Sequence, residues 1–419
     1  MTYRISTLKN GIRVASERLG DSLSSAFAIA VDVGARHERP QEAGLSHLLE
    51  HMAFKGTSRM NARKIAETFD LMGGNVNAYT SHEHTIYYAK VLKDYADEAL
   101  KLLCDIVSDS VFEQAELERE RHVVLQELAM HADTPDDLVF DLFQETVFRD
   151  QPLGRSILGT THSVSGFSRE DLLRYTRDHY QPKHLVVAGA GAVEHDSVAR
   201  TVEEFFGGRD NAHAVPPAAA ATYTGGEKLV EKSLEQVQLV LGFPGLPVTS
   251  DEYYALQVLT TVLGGGMSSR LFQEVREARG LAYSVLSSFA AGYQDVGILG
   301  IYAGTSESRT PELMDAIRSV LADIKSGISA AELLRAKNQL KGGVVMTRES
   351  SSALAEWIAR HLHVFGRYRP AEELIAKIDE VHAEDVVRVA AQCLGSATPT
   401  VVALGPGVTK ASLAERLVA

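Results

Sequence analysis

The segment His47-Leu48-Leu49-Glu50-His51 constrains this chain more than any other stretch of its sequence. The surrounding residues 43–54 have helical character and contain no proline. On a helix, His47 and His51 are one turn apart, and Glu50 lies within about 100° of them. Two imidazoles and a carboxylate on one face are what a catalytic zinc site requires, although the string alone also fits a solvated helix face.

Composition limits the class of protein. A chain of 419 residues is too long for a single hydrophobic core, so we expect at least two domains. The 45% hydrophobic and 23% charged content is ordinary for a globular protein. The formal net charge of -13, with no run rich in lysine and arginine, argues against a nucleic-acid partner.

The cysteines and the N-terminus bear on location. Cys104 and Cys393 are far apart in sequence, which fits neither a disulfide framework nor a thiolate zinc cluster, and a reducing compartment is compatible with this usage. Residues 1–8 lack the basic and apolar regions of a signal peptide, and no stretch approaches the ~20 apolar residues of a membrane span. We therefore expect a cytoplasmic protein without a presequence or membrane anchor.

The two halves of the chain look alike. A connector rich in glycine, alanine and proline predicts a linker at 208–226 between domains at 1–207 and 227–419. A helix that starts near Ala115 recurs near Ala331, 216 residues later, and strand signals precede both. We predict an α+β fold of two homologous domains of about 200 residues, each a mainly antiparallel sheet packed with helices.

A hydrolytic zinc usually takes a third protein ligand, and the predicted helix 113–132 offers the best candidates. Glu120 and Glu127 are two turns apart and share a face, and apolar neighbours make Glu127 costly to bury unless it is paired or binds metal. At the 216-residue offset these carboxylates are replaced by Ala336 and Gly343. The metal chemistry is therefore expected in the first half alone.

This combination resembles the pitrilysin/insulinase-type zinc metallopeptidases, also called inverzincins, and within them the short processing-peptidase-like subgroup that includes the β subunit of mitochondrial processing peptidase. The resemblance covers nearly the whole chain. It implies that His47, His51 and Glu127 ligate one zinc ion, that Glu50 is the general base for zinc-activated water, and that Glu120 orients a ligand. The implied activity is that of an endopeptidase.

The same resemblance assigns residues to substrate binding. Arg276 and Tyr283 match an Arg–Tyr pair that the family places opposite the zinc, where it would hold the substrate carbonyl and stabilise the oxyanion. The edge-strand residues, which would pair with an extended peptide, are Asn77, Ala78, Tyr79 and Thr80. Arg270 and Arg279 are competitors for the role of Arg276.

The number of domains in the chain indicates how the protein assembles. Long family members carry four such domains and this chain has two, so a homodimer would restore four and enclose peptides or unfolded segments in a chamber. A heterodimer with a degenerate paralogue is the alternative. A non-catalytic core subunit is disfavoured by the complete motif, and a zinc hydrolase with non-peptide substrates is a further alternative. Two further patterns could suggest sites but have simpler explanations. Residues 82–84 could suggest a second metal site. Residues 264–266 could suggest a phosphate loop, but they lack the P-loop ending.

Overall fold

The computed structural model describes residues 2–212, 217–282, 286–395, 398–410 and 412–418. The strands of the first half are β1 (Thr2–Thr7), β2 (Arg13–Arg18), β3 (Ser24–Val31), β4 (Asn75–Thr80), β5 (Thr85–Leu92) and β6 (Leu185–Gly191). Its helices are α1 (Leu45–Ala53), α2 (Ala62–Leu71), α3 (Ala96–Asp109), α4 (Gln114–Asp133), α5 (Pro135–Val147), α6 (Thr161–Gly166), α7 (Arg169–His179) and α8 (His195–Phe206).

The second half has a corresponding set of elements. Its strands are β7 (Gly226–Glu231), β8 (Val237–Gly245), β9 (Leu286–Gly292), β10 (Gly297–Thr305) and β11 (Thr400–Gly405). Its helices are α9 (Tyr253–Gly264), a π-helical segment (Phe272–Ala278), α10 (Thr310–Ile324), α11 (Ala330–Glu349), α12 (Ser351–Phe365), α13 (Ala371–Asp379), α14 (Ala383–Gly395) and α15 (Ala414–Val418).

The strands form two mixed sheets. The first has the order β1-β2-β6-β3-β5-β4, and the second has the order β7-β11-β8-β10-β9. Each sheet contains one parallel pair, β2 with β6 and β7 with β11, and its other pairs are antiparallel. The predicted α+β fold of two domains with mainly antiparallel sheets is confirmed. Strand β4 forms one edge of the first sheet.

The chain folds into two compact units that are not contiguous in sequence. Unit 1 comprises Met1–Ala129, Arg155–Ala219 and Met346–Arg369, and unit 2 comprises Met130–Gly154, Ala220–Val345 and Pro370–Ala419. Unit 1 thus takes α12 from the second half of the chain, and unit 2 takes α5 from the first half. The predicted division of the chain into two halves, with a linker at 208–226, stays a prediction. The compact units differ from these halves by the exchange of α5 and α12.

The sequence of β3 explains why α12 packs on the first sheet. Its Phe27, Ile29 and Val31 point into the main core of unit 1, which also contains α1 and α3. The alternate residues of β3 are alanines, and they contact Leu354, Ala355 and Ile358 of α12 on the opposite face. Side chains alternate between the two faces of a strand, so the small residues make room for a closely packed helix on one face only.

Unit 2 places α5 against its sheet in a similar way. Val139, Phe143 and Val147 of α5 pack against apolar residues of β8, β10 and β11. A Cβ at Gly242 would lie 2.5 Å from the ring of Phe143, so this close packing depends on the glycine in β8.

The long helices α4 and α11 reproduce the repeat seen in the sequence. Helix α11 begins and ends 216 residues after α4. The positions of Glu120 and Glu127 therefore correspond structurally to Ala336 and Gly343, as the sequence offset predicted. In the part of the chain that the structure describes, no helix is both long and apolar enough to span a bilayer.

Candidate metal centre

The helix that carries the motif is anchored at its start by a buried carboxylate. Glu38 accepts hydrogen bonds from the backbone N–H of Gly44 at 2.9 Å and of Ser46 at 2.7 Å. These amides lie at the N-terminus of α1, where backbone donors otherwise lack partners and the helix dipole favours negative charge. Gly44 adopts a left-handed φ of +90°, which suits glycine. Sequence analysis did not identify Glu38, which lies outside the motif.

One side of α1 is fixed by burial, and the other carries the motif. The buried side chains that hold it in the core are Leu45, Leu48, Leu49 and Met52. His47 and His51 project from the same face of the helix, and their rings make an edge-to-face contact with centroids 4.7 Å apart. The predicted helical presentation of the two imidazoles on one face is thus confirmed.

Helix α4 brings a third potential ligand to the two imidazoles. Oε2 of Glu127 lies 3.7 Å from Nε2 of His47 and 3.6 Å from Nε2 of His51. The three side chains offer ligand atoms that all lie within 4.8 Å of one another. Among the described residues, no other group of three or more His, Cys, Asp or Glu side chains could hold a metal ion in this way.

The donor set fits zinc. Two imidazole nitrogens and one carboxylate oxygen are the protein ligands of a common type of catalytic zinc site, with bonds of about 2.0–2.2 Å. Ligand atoms around a tetrahedral ion with such bonds are about 3.4 Å apart, close to the separations of Glu127 from both histidines. The side chains of Glu127 and His51 are 35% and 21% exposed, so the centre is accessible to solvent.

The apolar neighbours of Glu127 differ in their burial. Val124 is buried, and Leu125 and Leu128 pack against the main core, whereas Val123 and Met130 are exposed. The side chain of Glu127 is itself 35% exposed, which limits the cost of placing its carboxylate there. What distinguishes Glu127 is its proximity to the two histidines.

Glu120 contacts both His51 and Lys55. Its Oε2 lies 3.2 Å from Nδ1 of His51, and its Oε1 lies 2.7 Å from Nζ of Lys55. A carboxylate that accepts Nδ1–H selects the tautomer whose Nε2 lone pair points at the metal. Glu120 is buried, and its contacts match the role that the family resemblance implies. Lys55 was not identified from the sequence, although it lies one helical turn beyond His51.

Burial and charge act differently on the two histidines. Burial, together with the neighbouring His51, lowers the pKa of His47 to about 4, which keeps its imidazole neutral at pH 7. Burial also acts to lower the pKa of His51, but hydrogen bonds with Glu127 and Glu120 outweigh it, and the pKa is raised. Metal ligation needs a neutral imidazole, so an ion at this centre would compete with the proton on His51.

Glu50 lies beside the centre with one oxygen engaged. The hydroxyl of Thr80, the last residue of β4, donates to Oε2 of Glu50 at 2.6 Å. Burial raises the pKa of Glu50, and the hydrogen bond from Thr80 opposes this shift. The sequence identified Glu50 as a base and Thr80 as an edge-strand residue, but not the contact between them.

The four predicted edge-strand residues differ in their surroundings. Ala78 is buried, whereas Asn77 is exposed and its side chain accepts from the Ala78 N–H at 2.9 Å. The hydroxyl of Tyr79 donates to Glu356 of α12 at 3.1 Å. Among the described residues β4 has a strand partner on one side only, because it forms an edge of its sheet.

Of the two residues predicted from the second half, Arg276 is among the described residues and lies in unit 2. Arg276 is on the π-helical segment, with its guanidinium 4.8 Å from the ring centroid of Phe272. Tyr283 lies outside the described residues. The competing Arg270 contacts Glu332 and Asp323, and Arg279 is paired with Glu274. Arg276 also lies within 4.0 Å of its neighbour Glu277, so ion pairs do not separate it from these two competitors.

The other sequence patterns have structural explanations. His82 contacts the carbonyl oxygen of Arg155 at 3.2 Å, and Glu83 forms a 2.6 Å ion pair with buried Arg36. At residues 264 and 265, a Cβ would approach neighbouring atoms to less than 3 Å, as expected of a close-packed turn. Cys104 is fully buried, as predicted for a core residue.

Comparison with protein families and known proteins gives a consistent result. The family described as Insulinase (Peptidase family M16) matches residues 13–161, which contain the whole centre. The family described as Peptidase M16 inactive domain matches residues 166–340, which include Ala336, the residue that replaces Glu120 in the repeat.

Similar proteins extend over almost the full chain. A Rickettsia felis protein named an uncharacterized zinc protease is 39% identical over 96% of this chain and 98% of its own. A Bacillus subtilis protein, also named an uncharacterized zinc protease, is 41% identical over 92% of this chain and 94% of its own. The crystal structure of a protease from Helicobacter pylori superposes with a TM-score of 0.89 at 26% identity, covering 97% of this chain and 99% of that one.

Proposed function

The chain belongs to the insulinase-type peptidase family M16 and is a zinc metalloprotease, and from this premise we propose that it is an endopeptidase that cleaves peptides and unfolded or extended polypeptide segments. One observation carries the assignment of the site. The Nε2 atoms of His47 and His51 converge on Oε2 of Glu127 at 3.7 and 3.6 Å, next to a further carboxylate, Glu50.

Each residue of the centre has a part in the proposed mechanism. His47, His51 and Glu127 would hold one zinc ion per chain, with Glu120 orienting His51. A bound zinc ion would supply Lewis acidity to the attacking water and the scissile carbonyl. Glu50 takes a proton from the attacking water and returns it to the leaving amine. A carboxyl group whose pKa is raised by burial is suited to both steps.

Strand β4 is the proposed binding site for the peptide backbone. An extended peptide would add to this edge along Asn77, Ala78, Tyr79 and Thr80, with backbone hydrogen bonds giving affinity for many sequences. The edge position of β4 supports this. Thr80 lies on β4 and contacts Glu50, so a peptide bound there would pass close to the base. A folded protein would not present such a free extended segment.

We propose that the active form is a homodimer that encloses the substrate in a chamber. In this arrangement Arg276 and Tyr283 of one copy face the zinc of the other, hold the substrate carbonyl and stabilise the oxyanion. The presence in one chain of both the metal ligands and the Arg–Tyr pair supports a homodimer over a heterodimer with a degenerate paralogue. The molecular mass of the chain expressed alone, measured in solution, distinguishes these assemblies.

Cleavage of matched folded and unfolded substrates tests the proposed activity. The zinc-loaded protein should cleave an internally quenched peptide and a reduced, unfolded protein, but not the same protein in its folded form. Chelation should abolish cleavage and added zinc should restore it, because the ligands themselves remain intact. Absence of cleavage by protein that contains one zinc per chain would contradict the proposal.

The proposed location is the cytoplasm. The two cysteines are free thiols, and both are buried. Such usage fits a reducing compartment, and fractionation of cells that express the protein provides the test.

A further inference from the structure

The hydrogen bond between Thr80 and Glu50 connects the substrate strand to the base. The residues are 30 positions apart, yet the Thr80 Oγ1 to Glu50 Oε2 distance of 2.6 Å is that of a strong hydrogen bond to a carboxylate. We propose that Thr80 is a positioning residue that sets the orientation of the Glu50 carboxylate during catalysis. This inference rests on the proposed peptidase function and adds to it a role beyond backbone pairing.

Thr80 is held firmly enough to act in this way. Its strand is paired with β5 in a fixed register, with Thr80 opposite Thr85 and Tyr79 opposite Ile86. On the α1 side of the sheet, Ala78 is buried in the main core. On the opposite side, the hydroxyl of Tyr79 donates to Glu356. Contacts on both faces therefore fix the position from which Thr80 donates its hydrogen bond.

The contact has a specific consequence for the carboxylate. A glutamate side chain has three rotatable bonds, and its terminal torsion is broad, so an unrestrained carboxylate samples many orientations. Because Thr80 holds Oε2, rotation about the terminal bond is restricted, and Oε1 is presented as the oxygen that accepts the proton. Proton transfer by a general base requires the acceptor within hydrogen-bonding reach of the donor, so this restraint favours the chemical step.

The same contact couples peptide alignment to the base. If an extended peptide pairs with β4, its register is defined relative to the backbone of Thr80, and the side chain of that residue holds Glu50. The distance from the scissile bond to the base is then controlled within a single strand. A residue that acts through Glu50 should affect turnover rather than affinity, which separates this role from substrate binding.

Two kinds of substitution separate the hydroxyl from the rest of the side chain. Thr80→Val removes the donor at nearly constant volume, and Thr80→Ser keeps it. For Thr80→Val we expect kcat on an internally quenched peptide to fall about tenfold with KM nearly unchanged, and for Thr80→Ser we expect most of the rate to be retained. Thr80→Ala, which also lacks the hydroxyl, should resemble Thr80→Val in kcat.

Two measurements that do not depend on turnover complete the test. The zinc affinity of Thr80→Val, measured by competition with a chelator, should equal that of the unchanged protein. Peptide affinity should be the same in the inactive Glu50→Gln protein with and without Thr80→Val. Thr68→Val is a matched control, since the Thr68 hydroxyl donates to its own helix at the carbonyl oxygen of Lys64.

Three results would overturn the inference, namely an unchanged kcat for Thr80→Val, a loss confined to KM or to zinc affinity, or a Thr80→Ser protein as slow as Thr80→Val. Failure of the proposed function is recognised separately, because the unchanged, zinc-loaded protein would then cleave no peptide at all.

Discussion

Nζ of Lys55 lies 2.7 Å from Oε1 of Glu120. The other oxygen of this carboxylate contacts Nδ1 of His51, so the ammonium group is linked to the metal centre through two side chains. Glu50, Glu120 and Glu127 would give the region around one divalent ion a net negative formal charge. The cation of Lys55 balances it and holds Glu120 in the position that orients His51.

Replacement of Lys55 should therefore weaken zinc binding without removing a ligand. For Lys55→Met we expect zinc affinity to fall several-fold, less than the about 10–100-fold typical when a residue that directly contacts a ligand is replaced. Lys55→Arg should restore most of the affinity, because it retains the charge. Competition with a chromophoric chelator measures the effect. Equal affinity of the Met variant and the unchanged protein would show that Lys55 has no such role.

Substitution of a ligand and substitution of the base should have different effects on the amount of bound zinc. His47→Ala removes a proposed ligand, so we expect loss of both bound zinc and peptidase activity. Glu50→Gln should keep about one zinc per chain and lose about 10²–10⁴-fold in kcat, because only the proton acceptor is changed. Elemental analysis and initial rates on one peptide check both outcomes. Near-normal turnover by Glu50→Gln would contradict its role as the base.

Action of Arg276 across a dimer should be visible as complementation. Arg276→Ala and Glu50→Gln homodimers should each be nearly inactive. Random mixing makes half of the dimers mixed, and each mixed dimer contains one complete site if Arg276 acts on the partner's zinc. We therefore expect recovery of about a quarter of the unmixed activity of the unchanged protein. Each variant mixed with itself is the control, and no recovery in verified mixed dimers would exclude action in trans.

The stability of the protein should fall in mild acid because of buried histidines. Burial lowers the pKa of His363 to about 3, and its Nδ1 faces Arg13 while its Nε2 contacts the carbonyl oxygen of Ala30. Below the unfolded pKa of about 6.5 the unfolded chain binds a proton that the folded chain does not, so unfolding becomes easier as pH falls. From pH 7 to 5.5 this one group should lower the free energy of unfolding by about 1 kcal/mol.

Urea unfolding at a series of pH values measures this slope. His363→Gln, which cannot take up the proton, should reduce the pH dependence, although it also changes the overall stability. His162→Gln makes the same chemical change at an exposed position outside the core and serves as the control. An identical slope for His363→Gln and the unchanged protein would show that His363 does not contribute.

Local patterns in the sequence pointed to His47 and His51 as candidate metal ligands, and the family resemblance supplied Glu127 as the third. The spacing of His47, Glu50 and His51 determines which face of a helix they occupy, because the period of the helix is fixed. Internal duplication then distinguished Glu120 and Glu127 from Glu116, since the repeat has Ala336 and Gly343 in their place but keeps a glutamate, Glu332, in place of Glu116. Periodicity and self-comparison thus selected the candidates, whereas the separate roles of Glu120 and Glu127 came from the family resemblance.

The tertiary structure determines contacts that sequence periodicity cannot predict. Thr80 reaches Glu50, and Lys55 reaches Glu120, because sheet and helix packing bring together segments that are distant in the chain. The placement of α12 and α5 likewise depends on close packing, with alanines of β3 against α12 and Gly242 of β8 against Phe143 of α5. Such contacts depend on the complementary shapes of surfaces formed by several segments at once, whereas the sequence by itself determined the residues on each local face.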